Sequence, residues 1–387
     1  MLRGSMNPSR RPKFVVLYSP AGGGHRSVAN ALAEAIKRER GDCQIEVLDV
    51  LSFAPSWFRY DLAWKALQLH GGHLWDWVFR RTDRGLPEKP DQVRQQVNRF
   101  LLRGLAKHLA KVQPDRVVCT HYLPAVAVSR LVRDKQLHTH LSIVVTDYVA
   151  HEAWIYPGVD DYFVPTREVA RAIMRRDVKW HRVHITGIPI APTMDEPPVP
   201  QPHALPLRVL FLTGGVPAEL VHETLASISP TAPLDLQIVG GNDGKFRASL
   251  EALVRARKLP ATVHAALPGL RDAMDAAHVV VTKTGGLVST ECLARGRAMV
   301  LPWPAFGQEH ANLLKLVEVG AGIAASDHRD CGAVLESLAR SPERLAELSH
   351  KALKAAIRGS ARRVARHLLR GLPGSPNVTV SGIHYAV

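Results

Sequence analysis

Short valine-rich runs that break into a glycine turn and then a helix-period stretch recur along most of this 387-residue chain. No other feature narrows the fold so far. A buried strand that hands over to a helix before the next strand pairs in parallel, so the pattern predicts open α/β sheets. In the first half, strands are predicted at Phe14–Tyr18, Ile45–Val50, Arg116–Thr120, Leu141–Thr146, Tyr162–Val164 and Val183–Ile185, with a helix from about Arg26 to Glu39. Seven prolines then fall between Pro189 and Pro206, which reads as a stiff connection. Beyond it the alternation restarts at Val209–Leu212, Leu236–Val239, Val279–Thr282 and Met299–Leu301, and a basic, helical tail runs from about Glu336 to Arg370. The expected division is a first domain over 1–188, a linker over 189–206, a second domain over 207–357 and a basic tail over 358–387 that can return to the first domain.

Lys and Arg number 50 against 35 Asp and Glu, a formal charge of +15 that favours an anionic partner: nucleic acid, a phosphate-bearing ligand or an acidic membrane. Cys43, Cys119, Cys292 and Cys331 form no C-x-x-C pair, which argues against a zinc ribbon or redox dithiol and for reduced thiols. No run approaches a membrane-spanning helix, and Phe14–Tyr18 is too short for a secretory core. A cytoplasmic protein, soluble or peripheral on the membrane face, is expected.

Segment 53–105 departs from the alternation. It carries Trp57, Trp64, Trp75 and Trp77, with Arg59, Lys65, Arg80, Arg81, Arg84 and Lys89 between and after them. It reads either as an inserted helical hairpin with an aromatic core or as an interfacial element whose rings sit at headgroup level beside cations.

Four motifs carry chemistry. Gly22-Gly23-Gly24-His25 links the first strand to the first helix. Glycines there admit close approach of a ligand, and free helix N–H groups favour an anion. His25 stands at the carboxyl end of the sheet, where such folds bind ligands, with an imidazole suited to general-base work near pH 6.5. The alternative is a tight structural turn. Thr146-Asp147 with His151 and Trp154 also follows an apolar run, so Asp147 can take a proton, orient an imidazole, or merely cap a turn. Lys283-Thr284-Gly285-Gly286 leads into a helix bearing Glu291, which aims N–H groups and a cation at an anion and a carboxylate at hydroxyls. Gln308, Glu309 and Asn312 open a helix whose amides and carboxylate suit a sugar, or form an ordinary polar first turn.

In this order the motifs resemble glycosyltransferase family 28, in the branch of monogalactosyldiacylglycerol synthases and processive diacylglycerol glucosyltransferases. The Gly22–Arg26 loop, the Thr146-Asp147…His151…Trp154 run, the Thr282–Glu291 turn and Gln308-Glu309…Asn312 carry the likeness. The resemblance implies a GT-B fold, α/β with two Rossmann-like domains facing across a cleft. It implies a UDP-sugar in the second domain and a lipid acceptor, most of all diacylglycerol, on the first. Glu291 would then hold ribose, and Gln308, Glu309 and Asn312 the sugar or nearby hydroxyls. Gly285 and Gly286, with Lys283, would hold the diphosphate, and the backbone near Leu267 the uracil. His25 would sit at the reacting centre with Asp147 as competing base. Gly22, Gly23, Gly24, His151, Trp154, Trp57 and Trp64 would lie on the acceptor or lipid side. One departure stands out: Thr213-Gly214-Gly215-Val216-Pro217 is poor in glycine, which puts its phosphate role in doubt.

The expected chemistry is an inverting transfer of a hexose. No D-x-D signature is present, so neither a metal nor a cofactor is required, and helix N-termini with Lys283 can stabilise the departing diphosphate. The rivals are a UDP-sugar transferase with another lipid-linked or glycan acceptor and, more distantly, a non-catalytic nucleic-acid binder. Nucleic acid is not an expected partner, because the basic residues are dispersed and no binding module is evident. A Rossmann oxidoreductase is disfavoured by the missing G-x-G-x-x-G.

Overall fold

The computed structural model describes residues 10–20, 23–54, 103–200, 204–267, 269–302 and 307–373. Gly22, Trp57 and Trp64, and most of the aromatic-basic segment, lie outside them.

Six strands form the first sheet: β1 Lys13–Tyr18, β2 Gln44–Asp49, β3 Arg116–Cys119, β4 His140–Val144, β5 Asp161–Val164 and β6 Val183–Ile185. Six more form the second: β7 Leu207–Leu212, β8 Leu234–Val239, β9 Ala261–His264, β10 Val279–Thr282, β11 Ala298–Pro302 and β12 Gly322–Ala325. The orders are β2-β1-β3-β4-β5-β6 and β12-β11-β10-β7-β8-β9, with parallel pairing in both. Sheets covered by helices on both faces need strands apolar throughout, and β10 (VVVT) and β5 (DYFV) are buried end to end.

Each order contains one switch point, where the chain leaves a central strand for opposite sides: between β1 and β3, and between β7 and β10. Ligands of open α/β sheets bind in the crevice beyond the carboxyl ends of the strands at such points. The Gly24 turn follows β1, and the Lys283–Gly286 turn follows β10.

The first sheet is covered on one face by helix Gly24–Glu39 and by the terminal helix Ser360–Leu369. Phe14, Val16, Val118, Val144 and Phe163 pack there against Val28, Leu32, Ile36, Val364 and Leu368. The chain therefore crosses back to its first lobe after finishing the second sheet. Arg366 pairs with Glu39 at 2.8 Å, and Arg116 donates to the carbonyls of Leu368 and Arg370.

The proline-rich connection is more than a tether. Ile190 and Met194 are buried in the second lobe's core. Arg295, 0% exposed, donates to the carbonyls of Met194, Glu196 and Pro197 and pairs with Asp275. A buried guanidinium is tolerable because its five donors meet acceptors.

Candidate active site

The two glycine turns meet. The position a Cβ on Gly24 would take lies 3.3 Å from the Leu287 Cβ, and one on Gly286 would collide with the Thr146 carbonyl. Glycine at 286 is thus what lets the second lobe's helix start against the end of β4. Helix Gly286–Arg295 has Gly285 as its N-cap, without a side-chain cap, so its first N–H groups are free of one.

On the first lobe, His25 Nδ1 lies 2.8 Å from the Thr120 carbonyl and 3.2 Å from Thr146 Oγ1. A carbonyl only accepts, so Nδ1 carries the proton and Nε2 is left as the basic nitrogen. Thr120 Oγ1 in turn donates to the His25 carbonyl at 3.0 Å, and the ring of His121 stands edge-on at 4.5 Å. Burial pushes the His25 imidazole down to about 4, opposed by the Thr120 bond and reinforced by the Lys283 cation. The imidazole thus lies below the 6.5 of a free ring, because burial removes water that would solvate an imidazolium.

Asp147 shifts the other way. Burial raises its carboxyl to about 6, with Asn312 and Lys283 pulling it down and Glu309 pushing it up. Asn312 is 0% exposed. Its Oδ1 accepts from the Tyr148 N–H at 2.8 Å, and its Nδ2 donates to the Thr284 carbonyl at 2.9 Å and to Asp147 at 3.4 Å. Asn312 was expected to read donor hydroxyls. Here its amide instead ties the Asp147 turn to the Lys283 turn. Tyr148 adds a second tie, its hydroxyl 2.7 Å from Thr290 Oγ1.

Lys283 Nζ pairs with Glu309 at 2.6 Å, and Thr284 Oγ1 donates to the Glu309 carbonyl at 2.6 Å. The cation and carboxylate that the sequence assigned separately are one ion pair. Gly215 lies at φ +76°, and a Cβ there would come within 2.9 Å of Lys283 Nζ. The glycine-poor turn after β7 thus lies against the Lys283 ammonium, which sequence spacing did not reveal; the positive-φ glycine was its one signal. Glu291 is 7% exposed, and burial raises its carboxyl to about 8. Leu267 follows β9 and packs half-buried on the second lobe's core. Gln308 starts helix Gln308–Glu318 after Gly307.

Gly23 precedes the first helix as its N-cap. His151 accepts from the Ala153 N–H at 2.9 Å and so caps a short turn. Trp154, expected on the lipid side, is 3% exposed and packs in the first lobe's core, 6.5 Å from the His121 ring and 6.1 Å from Tyr122. Its ring therefore supports the His121 side of the site from behind and offers no exposed face.

A family model described as monogalactosyldiacylglycerol (MGDG) synthase matches residues 25–190. Monogalactosyldiacylglycerol synthase 1 of Arabidopsis thaliana is 27% identical over 336 residues, covering 81% of this chain; this chain spans 62% of that protein's length. The processive diacylglycerol beta-glucosyltransferase of Staphylococcus aureus is 24% identical over 383 residues, 93% of each chain. Among solved structures, Acinetobacter baumannii MurG superposes with a TM-score of 0.62 at 15% identity, over 92% of this chain and 99% of that one. The fold is the GT-B architecture, two Rossmann-like lobes about one cleft.

Proposed function

We propose that this chain, a relative of the monogalactosyldiacylglycerol synthases and processive diacylglycerol glucosyltransferases, moves a hexose from a UDP-sugar to a lipid hydroxyl, with inversion at the anomeric carbon. One observation carries the reading. The turns at the two switch points abut, so His25 and Asp147 from one lobe share a single crevice with Lys283, Glu309 and the Gly286 helix start from the other.

In this reading the diphosphate lies at the Gly286 helix N-terminus, beside Lys283 and the Gly215 turn. Helix N–H groups and the ammonium offset the charge that develops on the leaving UDP. Glu291 accepts from the ribose hydroxyls. The acceptor hydroxyl attacks the anomeric carbon from the opposite side and loses its proton to His25 Nε2. Burial is the main cause of the low imidazole value and Lys283 a lesser one; the negative charge of a diphosphate beside the ring would favour its protonated form and raise it. Asp147 is the competing base, already close to working pH. Diacylglycerol is the acceptor that the relatives' names favour, and a basic surface would hold the protein on the anionic membrane that supplies it.

The test is incubation with a panel of UDP-sugars and diacylglycerol in mixed vesicles, with and without EDTA, and mass spectrometry of the lipids. A glycosyl-diacylglycerol should form from one UDP-sugar, at an initial rate unchanged by chelation. Transfer only to other lipids would sink the acceptor assignment. A rate that EDTA abolishes without lowering the Tm, and that a divalent ion restores, would sink the metal-free step.

A further inference from the structure

At the other pole of the first sheet, four side chains distant in sequence converge. Ser142 on β4 is in register with Asp161 on β5, and Phe163 with His184 on β6. Side chains two apart on a strand share a face, so His140, Asp161 and His184 all project from one face of three adjacent strands. The terminal helix Ser360–Leu369 covers that face and adds His367. His184 Nε2 lies 2.6 Å from Asp161 Oδ1; His140 and His367 Nε2 lie 2.6 and 3.2 Å from Asp161 Oδ2. The rings of His184 and His367 are 4.0 Å apart. Asp161 is only 6% exposed.

We propose that Asp161, His184 and His367 bind a divalent transition metal, zinc above all, which pins the returning terminal helix to the first sheet. Their ligand atoms lie within 4.8 Å of one another. Two imidazoles and a carboxylate form a set that zinc favours, with bonds of about 2.0–2.2 Å. Such bonds put tetrahedral ligand atoms about 3.3 Å apart. His367 already stands about that far from Asp161 Oδ2. His184 lies 2.6 Å from the other oxygen, Oδ1, so it moves out by less than an ångström and the ion is shared between the two carboxylate oxygens, or the carboxylate turns. Each ring binds through a neutral Nε2, its proton moving to Nδ1. His140 stays on the remaining lone pairs of Asp161 and orients the carboxylate, while Asp160 lies 3.9 Å from His140 Nδ1. The soft thiols take no part: all four cysteines are buried elsewhere in the cores.

The site is remote from the crevice. It lies at the amino ends of β4 and β5, whereas His25 and Asp147 follow the carboxyl ends of β1 and β4. It is therefore structural, and it stands whether or not the transferase reading does. The sequence assigned no metal ligands because positions 140, 161, 184 and 367 have no motif spacing.

The experiment strips the full chain with EDTA, removes the chelator, and titrates zinc chloride by calorimetry, with thermal melting and cobalt absorption in parallel. Expected are about one ion per chain, a raised Tm, and the visible bands of tetrahedral cobalt. His184→Ala and His367→Ala should abolish the tight site. His140→Gln should weaken it by roughly 10–100-fold. The exposed His350→Ala should leave it intact. Where a ligand variant fails to fold, the wild-type titration and cobalt spectrum decide alone. No uptake by the wild type at micromolar zinc, or a tight site that persists in both ligand variants, overturns the proposal and leaves a proton-bonded knot of imidazoles on one carboxylate.

Discussion

His25 and Asp147, the two bases that compete in the proposed transfer, are set apart by environment. Both are half-buried, and desolvation favours the neutral form of each: it lowers the imidazole to about 4 and raises the carboxyl to about 6. At neutral pH the ring is therefore uncharged and most of the carboxyl ionised. In the substrate-free enzyme, kcat/KM should rise with pH through about 6 as Asp147 loses its proton, with no further inflection from His25 until about 4. Asp147→Asn should erase the limb near 6. His25→Ala should cut kcat by about 10²–10⁴-fold while leaving UDP affinity by calorimetry unchanged. A limb that survives in Asp147→Asn means that another group titrates there. Both residues were legible in the sequence because each stands where an apolar run stops and a turn begins. Their basicities were not, since the burial that sets them depends on residues far away in sequence. The tie that Asn312 makes is not legible in the sequence, because its Tyr148 partner lies 164 positions away and helix spacing shows only a polar first turn.

At the scale of elements, every strand of the first sheet is legible, its edges β2 and β6 included, whereas the edges of the second sheet are not. β9 and β12 are the outermost strands of the second sheet, each four residues long and only partly buried. β9 (ATVH) mixes polar and apolar residues, and β12 (GIAA) is apolar but holds a single β-branched residue among glycine and alanine, so neither has the valine-rich signature of the central strands. The basic tail, expected to be helical, forms three helices, Cys331–Ala339, Pro342–Ala355 and Ser360–Leu369. Pro342 opens the second, and Gly359, at φ +69°, turns the chain into the third. Ala361, Val364, Ala365, Leu368 and Leu369 recur at helical spacing and are buried under the first sheet. The terminal helix should thus be a structural member of the first lobe. Leu368→Ala is expected to destabilise the protein by about 2–5 kcal/mol in urea unfolding, because it empties a closed site between helix and sheet. Arg362→Ala, on the exposed face of the same helix, should change stability by no more than about 0.5 kcal/mol. Equal, small effects would mean that the helix rests on the lobe without holding it.

For the whole molecule, the crossing of the terminal helix explains how one chain can hold two lobes about a crevice: the proline-rich connection and the return helix are two separate links between them. Arg295 and Arg358 fasten the connection to the second lobe through backbone carbonyls, while Arg363 and Ser360 reach the carbonyls of Thr186 and Ile188 at the end of the first. No described helix is long and apolar enough to cross a membrane. A lipid acceptor would then have to be met at a surface, and the net charge of +15 supplies an attraction to anionic lipid. Each Lys or Arg near such a surface contributes about 1 kcal/mol, and salt screens it over a Debye length of about 8 Å at physiological strength. Binding to phosphatidylglycerol vesicles should accordingly exceed binding to neutral phosphatidylcholine vesicles in co-sedimentation, and it should fall steeply as salt rises. The apolar share of the attachment, if tryptophans insert, would survive the salt and appear as a residual bound fraction with both lipids. Recovery that is the same on both vesicles at every salt concentration would leave the charge without a role in docking and would move the source of membrane contact to insertion alone.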